Sequence, residues 1–278
     1  MWRRIVLAIV AVVPLLGCSR FAPPATRKAA TEKPQPRLES VPYLEDDNNV
    51  RGFLCRPGSE GPYPAVVMIH DRMGLTDGIK DQTFHLARAG YVVLAVDLYR
   101  GAVAKSAKEA ERLERELSKE RALHDLKAAV DYLLQRPDVR PKSPVAAEQG
   151  KEVWDLGVLG LGMGGGFAFE AALRDPRLRA LVVCYSPLPT DAKLLAPLKA
   201  TVFCVLAGKD KGVPAETIVK FCEAMSKAGK HVAGIRGYGT CQVGFLDPAT
   251  WPAHGKPKDS DVEDAWKVIA EYLNTELM

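Results

Sequence analysis

The chain has 278 residues, of which 47% are hydrophobic and 26% are charged, and its formal net charge is +4. This composition is that of a globular protein with one large domain or two small ones, and it excludes the disordered, collagenous and disulfide-scaffold classes. A net charge so close to zero also argues against a nucleic-acid partner.

The first residues have the pattern of an export signal. Two arginines precede an apolar run over 5–16, and this run is too short for a membrane-spanning helix, which needs roughly 20 residues. The Leu-Leu-Gly-Cys motif that ends at Cys18 resembles the bacterial lipobox, in which the chain is cut before the cysteine and the cysteine is acylated. We therefore predict a signal peptide over 1–17 and a lipid anchor on Cys18.

Ser19 stands where an aspartate would retain the protein at the inner membrane, so the predicted location is the outer membrane, facing the periplasm. The alternative is a plain secretory signal in which Cys18 is incidental.

The segment 18–40 is rich in proline, alanine and charged residues and holds almost no large apolar side chain. It is predicted to be a disordered tether, followed by a folded domain over 41–278. Strand-like apolar runs are found at 65–70, 92–96, 154–159, 180–185, 201–207 and, more weakly, 231–235. Helical patterns alternate with them at 80–89, 105–135, 165–174, 215–228 and 259–276, and a polar loop is expected at 137–152. This alternation predicts an α/β fold, with a parallel sheet covered by helices on both faces.

A run of glycines joins a predicted strand to a predicted helix and has two interpretations. Gly160, Gly162 and Gly165 fit the phosphate-binding pattern G-x-G-x-x-G, but the next strand ends without the acidic residue that a ribose would need. The second interpretation is a nucleophile elbow, G-x-Nu-x-G, in which Gly160 and Gly164 flank the turn and Gly162 takes the nucleophile position. A glycine at the nucleophile position should let this turn relax.

Several motifs in chain order support the second interpretation. They are the strand that ends in His70-Asp71, the run 90–99, the glycine turn, the segment Ala207-Gly208-Lys209-Asp210 with Val213-Pro214, and Tyr238 with Gly244-Phe245. Through these motifs the sequence resembles the dienelactone hydrolase family of α/β-hydrolases over nearly all of 41–278. The resemblance implies an α/β-hydrolase fold with a mostly parallel sheet of about eight strands. It also implies a hydrolase acting on carboxylic esters or small lactones, with no metal and no organic cofactor.

The resemblance also shows which parts of the family's catalytic triad this chain keeps. The acid position is Asp210, whereas the nucleophile position is Gly162 and the histidine position is Val243. A glycine cannot form an acyl-enzyme and a valine cannot transfer a proton. We therefore predict a weak or inactive member of the family, a pseudoenzyme that retains a pocket for a small ligand.

Other pocket features of the family are present. The backbone N–H groups of Met163 and Arg72 match its oxyanion-hole donors, and His70 and Asp71 lie in the same pocket, with Asp71 in place of the family's glutamate. Two alternatives to a silent binding site stay open. One is an active hydrolase that uses a displaced nucleophile, Cys241 or Ser186, with His254. The other is an interaction protein of the cell envelope.

Overall fold

The computed structural model describes residues 34–44, 47, 49–140 and 154–278. The predicted signal peptide, the predicted acylation site Cys18 and most of the predicted tether lie outside the described residues. Most of the loop predicted at 137–152 lies outside them as well.

In this part of the chain, eight strands form one sheet in the order β1-β2-β4-β3-β5-β6-β7-β8. The strands are β1 (Arg37–Pro42), β2 (Arg51–Arg56), β3 (Ala65–Ile69), β4 (Val92–Val96), β5 (Leu156–Leu161), β6 (Ala180–Cys184), β7 (Thr201–Ala207) and β8 (Val232–Tyr238). Strands β3 to β8 are parallel, whereas β1 and β2 join the edge as antiparallel strands. The predicted mostly parallel sheet of about eight strands is confirmed.

Helices cover both faces of this sheet. They are α1 (Asp77–Arg88), α2 (Ala107–Glu116), α3 (Lys119–Gln135), α4 (Met163–Arg174), α5 (Ala192–Leu195), α6 (Ala215–Lys227), α7 (Trp251–His254, preceded by a 3₁₀ turn over Pro248–Thr250) and α8 (Asp259–Leu277). One buried cluster includes Ile79 of α1 and Leu273 of α8. The other includes Leu126 of α3, Phe169 of α4 and Phe221 of α6. Because each central strand contributes side chains to both clusters, its sequence is apolar throughout.

Strand β2 and helices α5 and α7 are not among the elements that the sequence predicts, and the ends of several others are shifted by one to three residues. Two further differences are larger. The helix predicted over 105–135 is two helices, because the chain leaves the helical conformation at Leu117 and Ser118 caps the start of α3. Strand β1 begins at Arg37, so its first four residues lie in the segment predicted as a tether.

The parallel strands bring the site residues to one edge of the sheet. Ile69 at the end of β3 is in register with Gly160 of β5, and Leu161 is in register with Cys184 of β6. The turns that follow these strands therefore lie side by side, which is where ligands bind in open α/β sheets. Within the described residues, no helix is both long enough and apolar enough to cross a membrane.

Candidate functional site

The turn between β5 and α4 has the sharp geometry of an elbow. Gly162 has φ 51° and ψ −116°, a conformation that residues with a Cβ rarely adopt. A Cβ at Gly160 would lie 2.2 Å from the carbonyl oxygen of Gly164, and a Cβ at Gly164 would lie 2.5 Å from the carbonyl oxygen of His70. The turn therefore keeps the elbow conformation and does not relax to another shape, and, as a glycine, residue 162 adopts this conformation without the strain that a Cβ would cause.

Asp71 fills the space where a nucleophilic side chain would stand. A Cβ built on Gly162 would lie 2.1 Å from the Asp71 Oδ1 atom and 2.5 Å from its Cγ atom. Contacts this short are impossible between non-bonded atoms, so the carboxylate occupies this position only because residue 162 is a glycine. The side chain of Asp71 is buried, with 3% of the residue exposed.

The two predicted oxyanion-hole donors converge on that same carboxylate. The backbone N–H of Arg72 donates to Asp71 Oδ1 over 2.7 Å, and the N–H of Met163 donates to the same oxygen over 3.3 Å. Met163 is the first residue of α4, so the positive end of the helix dipole also faces the carboxylate. Both N–H groups are therefore engaged by a side chain of the protein itself.

A second carboxylate acts on Asp71 electrostatically. Burial raises the pKa of Asp71 to about 6, and the charge of Asp247 acts in the same direction, against the opposing hydrogen bonds from Arg72 and Met163. Burial also raises the pKa of Asp247. Asp247 Oδ1 accepts hydrogen bonds from the Thr76 hydroxyl and the Ala249 N–H, both over 3.0 Å. Asp247 Oδ2 is buried and has no hydrogen-bond partner in the described structure.

Asp247 is not among the site residues predicted from the sequence. The available signal was its position four residues after Val243, in the loop that supplies the histidine in the family. A buried carboxylate in such a loop changes the protonation of its neighbours.

His70 is fixed as a structural residue. Its Nδ1 donates to the carbonyl oxygen of Asp71 over 2.7 Å, and its Nε2 accepts the N–H of Leu98 over 3.2 Å. Burial lowers the pKa of His70, which favours this neutral tautomer. With both ring nitrogens engaged, His70 has no nitrogen free for proton transfer.

Asp210 and Val243 lie in the loops that follow β7 and β8. Asp210 follows β7, and its Oδ1 accepts the N–H of Gly212 over 2.7 Å. Val243 is half-buried and packs against the cluster that contains Phe245. The position that the resemblance assigns to the histidine therefore holds an apolar side chain, which exchanges no protons.

The residues of the displaced-nucleophile alternative are arranged unfavourably for catalysis. The Cys241 thiol lies 3.6 Å from Asp261 Oδ2, and burial, with the adjacent charge of Asp261, raises the pKa of Cys241. Ser186 is 1% exposed and packs under α4, where a Cβ on Gly165 would lie 2.5 Å from the Ser186 Cβ. His254 is exposed at the end of α7. A thiol with a raised pKa and a sealed hydroxyl are both poor nucleophiles.

Comparisons with known proteins agree with this architecture. The model of the dienelactone hydrolase family matches residues 50–277. A Methylorubrum extorquens protein named "Putative carboxymethylenebutenolidase" is 26% identical over 95% of this chain and 87% of its own length.

Two solved structures share the fold at low sequence identity. A dienelactone hydrolase-like promiscuous phosphotriesterase from metagenomic libraries has a TM-score of 0.71 and 21% identity, covering 87% of this chain and 99% of its own. A dienelactone hydrolase from Anabaena variabilis has a TM-score of 0.59 and 20% identity, covering 88% of this chain and 100% of its own. These likenesses confirm the predicted α/β-hydrolase fold.

Proposed function

This chain belongs to the dienelactone hydrolase family, and we propose that it has a binding function in place of the family's covalent catalysis. The proposed ligand is a small acidic, ester-like or lactone-like molecule held at the carboxyl edge of the sheet. By the family's mechanism the protein is catalytically silent or very weak. A lipid anchor on Cys18 would hold it at the envelope, facing the periplasm.

The occupancy of the nucleophile position carries this proposal. Acyl transfer needs a nucleophile beside a base and an empty oxyanion hole for the tetrahedral intermediate. Here residue 162 has no side chain, the position of the base is Val243, and the carboxylate of Asp71 holds both N–H donors. All three requirements fail at once, while the fold that supports them stays intact.

An activity-based probe tests the absence of a nucleophile. We expect the wild-type protein to form no stoichiometric adduct with a fluorophosphonate or an iodoacetamide-type probe, and to leave p-nitrophenyl acetate unhydrolysed above the background rate. A single-site adduct on Cys241 or Ser186, lost in the Cys241→Ala or Ser186→Ala variant, would overturn the proposal in favour of a displaced nucleophile.

A rebuilt triad supplies the matched positive control. The triple variant Gly162→Ser/Val243→His/Asp71→Ala restores the nucleophile and the histidine, and it removes the carboxylate that collides with a side chain at position 162. We expect hydrolysis of p-nitrophenyl acetate by the triple variant only. The double variant that keeps Asp71 should stay inactive because its oxyanion hole is filled.

A further inference from the structure

We propose that the N–H groups of Arg72 and Met163 form a binding site for a small external carboxylate, and that Asp71 is the internal group that this ligand replaces. The inference rests on the proposed binding function and names its ligand class. No covalent bond forms or breaks in the exchange.

The structure itself shows that this pair of donors accepts a carboxylate. Both N–H groups point at one oxygen of Asp71, although they come from two turns that are far apart in the chain. Two convergent backbone donors at the start of a helix suit an oxyanion, because the helix dipole adds to the two hydrogen bonds. A free carboxylate presents the same two oxygens as the side chain of Asp71.

Space for the ligand comes from the residue that the family uses for catalysis. Gly162 projects no side chain, and the place of its Cβ is 2.1 Å from the Asp71 oxygen. When the carboxylate of Asp71 turns away, that space and both donors become free together. Arg72 is exposed and Met163 is partly exposed, so the site borders solvent at this edge.

The charges around Asp71 require a proton to enter with the ligand. The charged groups that act on its carboxyl are Asp247 and the guanidinium of Arg72, which is paired with Glu114 over 3.4 Å. Burial and, in addition, the charge of Asp71 raise the pKa of three neutral neighbours, the phenols of Tyr99 and Tyr185 and the thiol of Cys184. A second anion beside Asp71 and Asp247 would be repelled unless one carboxyl is neutral. Burial and Asp247 already raise the pKa of Asp71 to about 6. Asp71 is the carboxyl that contacts both donors and that the ligand replaces, so we assign the proton to Asp71, which as an acid donates a hydrogen bond to the ligand.

Acetate titrations test the exchange at the atoms concerned. In ¹H–¹⁵N spectra of the wild-type protein at pH 5.5, we expect saturable shifts of the Arg72 and Met163 amides. Calorimetry in two buffers of different ionisation enthalpy should show uptake of close to one proton at pH 7. Above about pH 6 the affinity should fall roughly tenfold for each pH unit, as expected for one linked proton. Acetamide, the neutral analogue, should bind far more weakly.

Two asparagine variants separate this exchange from a general charge effect. In Asp71→Asn the amide mimics the protonated acid, so we expect acetate binding that no longer depends on pH and takes up no proton. Asp81→Asn, the same change at an exposed carboxylate of α1, should keep the wild-type pH dependence. Unshifted amides at saturating acetate, binding without proton uptake, or a pH dependence that persists in Asp71→Asn would overturn the inference.

The acetate titration and the probe experiment test different claims, so one claim can fail while the other holds. A wild-type protein that hydrolyses esters would overturn the binding function through the probe experiment and leave the amide shifts unchanged. A silent protein whose amides ignore acetate would contradict only the ligand class.

Discussion

Gly162 and Asp71 are complementary in shape, because the carboxylate of Asp71 fills the space that a side chain at position 162 would need. We expect Gly162→Ala to destabilise the domain by about 3 kcal/mol, from the positive φ and the overlap with Asp71. In an Asp71→Ala background the same change should cost about 1.5 kcal/mol less, since the overlap is gone. Urea unfolding of the four proteins gives this coupling energy, and strictly additive costs would contradict the contact.

The buried carboxyl of Asp71 also predicts how stability depends on pH. Its pKa rises from 3.8 to about 6 on folding, so the protonated form favours the folded state. The stabilising contribution is complete below pH 3.8 and is lost as the pH rises through about 6. Relative to Asp71→Asn, the wild-type protein should lose about 3 kcal/mol of unfolding free energy over this interval. A difference between the two proteins that does not change with pH would show that the carboxyl is ionised without cost.

At the scale of elements, the hydroxyl group of Ser118 caps the start of α3 at the break between α2 and α3. Ser118 accepts the N–H of Arg121 over 3.3 Å and caps α3, which packs against the sheet through several buried residues. We expect Ser118→Ala to lower the unfolding free energy by about 1 kcal/mol. Ser106 caps α2 in the same way, but α2 buries only Ala110, so Ser106→Ala should cost less in global unfolding. Equal losses in thermal or urea unfolding would contradict this difference.

The sequence predicts elements where burial leaves a simple pattern. The central strands β3, β4, β5 and β6 are buried at every residue, and each is found as an apolar run. Strand β1 exposes all but one of its residues, so its sequence looks like a tether. The break before α3 is hidden because charged residues continue across it, and a serine cap does not interrupt the hydrophobic pattern.

The candidate site also has features that the sequence predicts and features that it does not. The positions of Gly162, Asp210 and Val243 follow from motifs that the family resemblance fixes in the sequence. The filling of the oxyanion hole does not follow from the sequence, because Asp71 and Met163 are 92 residues apart. Only the packed fold shows that the side chain of Asp71 turns toward Gly162.

At the scale of the whole molecule, the sheet brings the turns after β3 and β5 together, with the loop after β8 beside them. Asp71, Gly162 and Asp247 come from these three segments, and the pKa of Asp71 responds to Asp247. Under the proposed function, the fold keeps its geometry without a nucleophile at position 162 and a base at position 243, because the core contacts of the strands do not depend on either residue. A binding function requires only this retained geometry.

The location of the protein is a prediction about the chain outside the described domain. If Cys18 is acylated, several acyl chains attach the protein to the membrane, each buried CH₂ contributing about 0.8 kcal/mol. We expect cells fed a clickable fatty acid to label the wild-type protein, which should fractionate with the outer membrane. Cys18→Ala should be unlabelled and leave the membrane fraction. Ser19→Asp, the matched control, should keep the label but shift to the inner membrane. A wild-type protein without label, or a label that persists in Cys18→Ala, would contradict acylation of Cys18, and an unlabelled Cys18→Ala protein that stays in the membrane fraction would point to attachment by another part of the chain.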